Sequence, residues 1–311
     1  MGTPPRLSVE QRVRYLVDHG YVDGSTITDA HRSRLAALNF HYFLGYAGNY
    51  RALADRGRTG LPAKDAADLF RLIDLDARLA GMVHDRLRAV EWRLRAMVVD
   101  LYCGTYGPTG FLDEGRYLRV SKDEPARAMV ATILRDIYRH DEPYVGRALD
   151  AAWADRAGER PRKYRPGDHD LLLELAGELP LWAVIDAFSL GTLGRFIMTC
   201  DGDAGAPLWR DLAGQLGVNA RIFPTQIKAV TYLRNTVAHH SRLWMRTTRD
   251  GAKKPKRFAK RLRDVDSKSM YWAILALATF LPGAEGRRFV AELDDFLDGE
   301  DLYRRGITRS G

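Results

Sequence analysis

Two cysteines in 311 residues, Cys103 and Cys200, are too few for a disulfide framework and have no second thiol nearby to share a zinc ion. Each is expected to be a small buried hydrophobe. Long apolar runs are missing as well: the longest, YWAILALATFLPG from Tyr271, stops well short of the roughly 20 residues that cross a bilayer. No membrane span is expected. The opening residues, MGTPPRLSVEQ, lack the apolar core of a secretory signal, so the expected location is the cytoplasm. Runs of alternating β-branched residues between turns are absent too, which argues against a sheet. No glycine-rich phosphate loop of the Walker type occurs, and neither RHDEP around His140 nor GDHD around His169 has the i, i+4 spacing of helical metal ligands. ATP hydrolysis, a metal and a cofactor are therefore not expected.

What remains is helix. Hydrophobic residues at 46% and charged residues at 28% describe a folded chain, long enough for two ordinary domains or one large helical one. A net charge of +8 favours polyanionic partners, weakly by itself. SVEQRVRYLVDHG reads as a helix opened by a capping box of Ser8 and Gln11 and closed by Gly20. A second start at Thr28 runs through DAHRSRLAALNF to a turn at GYAGNY, with Phe40, Tyr42, Phe43, Tyr46 and Tyr50 packing as a core edge.

After GLPAKD comes the longest periodic segment, residues 65–102. Leu75, Leu79, Met82 or Val83, Leu87, Val90, Leu94, Met97 and Leu101 form one apolar stripe along it. The opposite side reads as polar, with Asp76, Arg78, Asp85, Arg88, Glu91 and Arg95, and Glu91 and Arg95 pair there in the favourable acid-first order. YCGTYGPTGF breaks the helix, residues 116–156 are again helical, and RAGERPRKYRPGDHD is expected as an exposed loop. LPLWAVIDAFSLGTLGRF reads as a buried helix with a glycine-broken bend at SLGTL, and APLWRDLAGQLG as a short helix ending at Gly217. Pro224, tolerated in a first turn, then opens TQIKAVTYLRNTVAHH. The fold class is all-α, without internal repeats.

That last helix carries the chemistry. With Ile227 at zero and about 100° per residue, Ile227, Val230, Leu233 and Val237 form a core face near 280°, and Arg234 borders it near 340°. Asn235 at about 80° and His239 at about 120° share the outward face, while His240 at about 220° is expected to be partly buried with a polar partner. Two readings stay open. The histidines serve the helix dipole or a cap; or the end handles phosphate, since an Arg grips phosphate bidentately, a His titrates near neutrality and an Asn orients either.

RNTVAHH resembles the Arg-Asn…His signature of the HEPN superfamily. LNFHYFLGY, LDARLAGMVHDRLRAVEWRLRAMV, LPLWAVIDAFSLGTL and LRNTVAHHSRLW, in that order, resemble segments of abortive-infection proteins of the AbiD/AbiF type. The resemblance implies a HEPN-type helical bundle with additional helices over residues 1–245, with its motif at 234–239. Residues 246–311 would then be a basic segment plus C-terminal helices packing on the same domain. It further implies a homodimeric, metal-independent endoribonuclease acting in antiphage defence, with RNA as substrate and a protein or RNA antitoxin as a candidate partner. Arg234, Asn235 and His239 become the catalytic candidates. Glu91 and Arg95 match the acid and Arg of the family's long helix and become candidate supports, as do His240 and Arg242, which also qualify for RNA contact. Lys253, Lys254, Lys256 and Arg257, in the basic run after the motif, are candidate RNA contacts. The alternatives are a non-catalytic RNA-binding or toxin-partner module and a DNA-binding regulator; the second lacks a compact helix-turn-helix with a polar recognition helix.

Overall fold

The Ser8 hydroxyl accepts from the Gln11 amide while the Gln11 side chain accepts from the Ser8 N–H, so the first helix opens in the expected capping box. The computed structural model describes residues 6–55, 64–117, 126–140, 142–200 and 207–309. Among them lie α1 (Val9–Asp18), α2 (Asp29–Ala37), α3 (Phe40–Asp55), α4 (Ala66–Tyr106), α5 (Ala126–Arg139), α6 (Pro143–Trp153), α7 (His169–Gly177), α8 (Leu181–Val184), α9 (Leu190–Thr199), α10 (Leu208–Leu216), α11 (Phe223–Ala238), α12 (Met270–Phe280), α13 (Gly283–Leu297) and α14 (Asp301–Ile307). Apart from isolated bridges, no β-structure occurs in the described residues. The protein is all-α. Most of GLPAKD, and Asp141 of RHDEP, lie outside the described residues.

The long periodic segment is α4, capped by Asp65 and stopped by Gly107 at φ 83°. It packs against α2, α3, α8, α9, α10, α11 and α12, so it is the rod on which the other layers sit. Its buried line runs Leu69, Leu72, Asp76, Leu79, Val83, Leu87, Val90, Leu94, Val98 and Tyr102. Two expectations are corrected here. Val98 and Tyr102 replace Met97 and Leu101 as the drift of a 3.6-residue turn carries the stripe round. Asp76, expected on the polar side, is 3% exposed and occupies a core position.

GYAGNY is not a turn but the middle of α3. A Cβ on Gly45 would come within 3.1 Å of Arg242, whose guanidinium donates to the Gly45 carbonyl. Tertiary contact outweighs the weak helix propensity of glycine. SLGTL is likewise not a bend: Ser189 caps α9 by accepting from the Thr192 amide, and the break falls before it, at residues 185–188. The basic loop before α7 is mostly exposed, yet Arg160 is buried against Asp150, and His169 is buried beside the Tyr164 hydroxyl at 3.0 Å.

The longest apolar run is α12, all eleven of whose residues are buried. It lies against α11 and α4, and among the described residues no helix is long and apolar enough to cross a membrane. At the C-terminal end, Gly306 in α14 faces the buried Trp244 indole so closely that a Cβ would overlap it. An Ala usually favours a helix over Gly by about 1 kcal/mol. Here Gly306→Ala should instead destabilise by about 2–3 kcal/mol through overpacking, read as a lower denaturation midpoint.

Candidate functional site

Pro224 in its first turn starts α11, and the helix stops at Ala238. His239 is the C-cap, with φ −92° and ψ 13°, and His240 follows in the left-handed region at φ 50°. The His240 N–H donates to the Val237 carbonyl at 3.0 Å and the Ser241 N–H to the Thr236 carbonyl at 2.9 Å. Those two bonds are a Schellman motif with histidine at the position glycine usually takes. The doubled histidine is thus a helix ending.

Both rings are exposed. This corrects the expectation for His240, since a helical wheel does not extend past the last helical residue. His239 does share the exposed side of the terminal turn with Asn235, as expected. Because a left-handed conformation costs a non-glycine residue roughly 1–2 kcal/mol and glycine loses part of that in backbone entropy, His240→Gly should stabilise by between zero and about 1 kcal/mol. A denaturation curve showing a clear loss would mean that the ring holds a contact.

Arg234 leaves α11 on the side of α4, where its Nε lies 3.5 Å from Glu91 Oε2. The other oxygen of Glu91 accepts from Arg95 Nη2 at 2.6 Å. Glu91 and Arg95 are not a solvated surface pair: their side chains are 13% and 12% exposed. Arg95 also donates to the Phe188 carbonyl at 2.8 Å and lies 3.7 Å from Asp186. One half-buried carboxylate therefore holds two guanidinium groups from two helices, and the segment before α9 also holds Arg95. Arg234 lies at the outer edge of this cluster, and its Nη1 reaches toward Asn235 Oδ1 at 3.4 Å.

The chain after the motif is fixed just as firmly. Asp76 accepts from the Leu243 N–H at 2.7 Å, the Trp244 N–H at 2.9 Å, the Tyr46 hydroxyl at 2.6 Å and the Tyr303 hydroxyl at 2.5 Å. Burial pushes its carboxyl above the ordinary range, and these four hydrogen bonds pull it back. Arg242 is tied to α3 through the Gly45 carbonyl and lies over the Tyr46 ring at 5.6 Å. Burial lowers its pKa. Arg242 is thus held by α3, and Asp76, Tyr46 and Tyr303, which no local pattern brings together, fix the chain beside it.

The cationic candidates fall elsewhere. The Lys253 backbone is bound to the first turn of α11 through Thr225 and Gln226, about 20 Å of helix rise from His239. Lys254 lies 5.8 Å from the Trp272 ring, Arg257 donates to the Ala278 carbonyl with its pKa lowered by burial, and Lys256 is exposed beside them. The cations that do approach the motif are Arg195, Lys228, Arg246 and Arg249, which share a groove of about 550 Å³ with Asn235 and His239. On the opposite flank, Arg234, Glu91 and Arg95 line a cavity of about 230 Å³ with His84, Arg88 and Trp92. The α11 terminus is a ridge between two depressions.

Fold and site together define a helical protein with an Arg-Asn-His helix terminus, Asn235 and His239 exposed, backed on the Arg234 flank by a half-buried ion cluster. A family model of the Abi-like proteins matches residues 33–245, more than half of the chain, and the protein belongs to that family of abortive-infection proteins. The matched span holds Glu91, Arg95, Arg234, Asn235 and His239, and excludes Lys253, Lys254, Lys256 and Arg257. No curated protein and no solved structure matches the chain.

Proposed function

We propose that the protein is a HEPN-type endoribonuclease that cuts RNA without a metal and acts as the toxic effector of an antiphage response. One observation carries this reading: Asn235 and His239 stand exposed at the end of α11, Arg234 reaches Asn235 from the α4 flank, and the half-buried Glu91–Arg95 pair holds Arg234 from behind. The ribose 2′-OH attacks the neighbouring phosphorus and gives up its proton, a bond from phosphorus to the 2′-oxygen forms, the bond to the 5′-oxygen breaks, and that oxygen takes a proton. His239 moves one of these protons as general base or acid. Arg234 stabilises the charge on the phosphorane and Asn235 holds the phosphate or the ring. The products carry a 2′,3′-cyclic phosphate and a 5′-OH, and DNA, without the 2′-OH, is spared.

The reaction moves two protons, and His239 is assigned one of them. A symmetric homodimer with facing α11 ends would supply a second histidine for the other. The test is incubation of purified protein with RNA in EDTA, with sedimentation of the same sample. Cleavage that survives chelation, leaves cyclic phosphate ends and vanishes in Arg234→Ala and His239→Ala supports the reading. Cleavage indifferent to His239→Ala would sink it, and salt-dependent RNA binding without any cleavage would point to a non-catalytic module.

A further inference from the structure

The proposed chemistry uses only one end of the groove between α9 and α11. From His239 the same face of α11 runs back through Asn235, Thr231 and Lys228, all of which line it. α9 meets α11 at Gly194, where a Cβ would make ordinary contacts, 3.4 Å from Thr231 Oγ1 and 3.8 Å from Ile227. Buried Ile227 and Gly194 and half-buried Met198 make an apolar floor, while Arg195, Lys228 and Arg249 stand exposed above it and Asp250 is the one acid in the lining. Tyr232 contributes a planar face that is already fixed. Its hydroxyl donates to the Thr247 carbonyl at 3.0 Å and accepts from Arg246 Nε at 3.1 Å, and the Arg246 guanidinium lies 5.8 Å from the ring.

An apolar floor suits a base, a cationic rim suits the phosphates on either side of it, and a ring braced by a guanidinium offers a stacking surface. The volume, about 550 Å³, falls within the range of sites that enclose a small organic ligand. We infer that this groove seats one nucleoside of the RNA strand, directly beside the phosphate that Arg234 and His239 handle. The inference rests on the ribonuclease reading. Its consequence is selective: a base stacked and paired inside a duplex cannot enter, so the RNA must be unpaired at the cleaved step.

Thr231→Phe puts a ring into the groove without substituting Arg234, Asn235 or His239; because Thr231 faces Gly194, thermal melting and helix content check that α9 and α11 keep their packing, and Thr231→Val is the conservative control. On an RNA with one loop and one duplex arm, the wild type is expected to cut only in the loop. If base stacking is worth on the order of 1–3 kcal/mol, Thr231→Phe should raise KM about ten-fold or more with kcat nearly unchanged, and Thr231→Val should not. Lys228→Glu with Arg249→Glu should weaken binding and flatten its salt dependence. Equal cutting in the duplex arm, or an unchanged KM in Thr231→Phe, overturns the assignment. A second measurement separates it from the ribonuclease reading: anisotropy of a labelled unpaired oligoribonucleotide on His239→Ala protein, with and without Thr231→Phe. If the wild type cuts no RNA, the ribonuclease reading falls, and the groove assignment stands only if Thr231→Phe still weakens this binding.

Discussion

Asp76→Ala is expected to cost about 4 kcal/mol of stability, enough to be diagnostic of a lost buried network. The substitution strands four donors: the Leu243 and Trp244 N–H groups and the Tyr46 and Tyr303 hydroxyls. Each buried donor left without a partner costs about 1–3 kcal/mol. The costs do not simply add, because the Tyr46 hydroxyl can turn toward Tyr42, whose oxygen lies 3.0 Å away. The backbone amides have no such freedom. Asp76→Asn should therefore cost about 2 kcal/mol, since its NH2 must face either the Leu243 or the Trp244 N–H. Denaturant titration with unchanged slope would measure both, and a loss below about 1 kcal/mol for the alanine would show that another group serves these donors.

That carboxylate also shows what can be read from the amino-acid sequence. Caps, glycine stops and apolar periodicity are local, so the all-α class, the long α4, the ends of α1 and α10 and the start of α11 follow from residues a few positions apart. Asp76 was legible in principle: it continues the series Leu69, Leu72, Leu79 and Val83, and a charged residue in an apolar stripe implies a buried partner. Its partners lie 167 and 227 positions away, beyond any local pattern. The glycines in GYAGNY misled for the same reason. They read as a turn by composition, whereas Gly45 answers to Arg242, 197 residues on.

The site divides along the same line. Arg234, Asn235 and His239 stand within one helix end, and their spacing reveals them. Glu91 and Arg95 look like a surface pair at i, i+4 until α11 and the residues before α9 cover them. Lys253, Lys254, Lys256 and Arg257 attract attention by being consecutive, but the cations around the motif, Arg195, Lys228, Arg246 and Arg249, are dispersed in sequence and gathered by the α9–α11 contact.

His239→Ala should lower kcat for RNA cleavage by about 10²–10⁴ while leaving stability within about 0.5 kcal/mol of wild type. The two halves have separate causes. The ring is exposed and its residue caps α11 through backbone bonds, which alanine retains, so little packing is lost. The rate falls because a proton that moved to a positioned imidazole must move to water. Arg234→Ala should cost about 10²–10³ in rate by removing the guanidinium from the developing phosphorane charge, and it leaves Glu91 still paired with Arg95. If both residues act in one transition state, the double variant should be little slower than the worse single one. Fully multiplicative losses would mean that Arg234 and His239 act in different steps, and an unfolded His239→Ala protein would mean that the ring supports the fold.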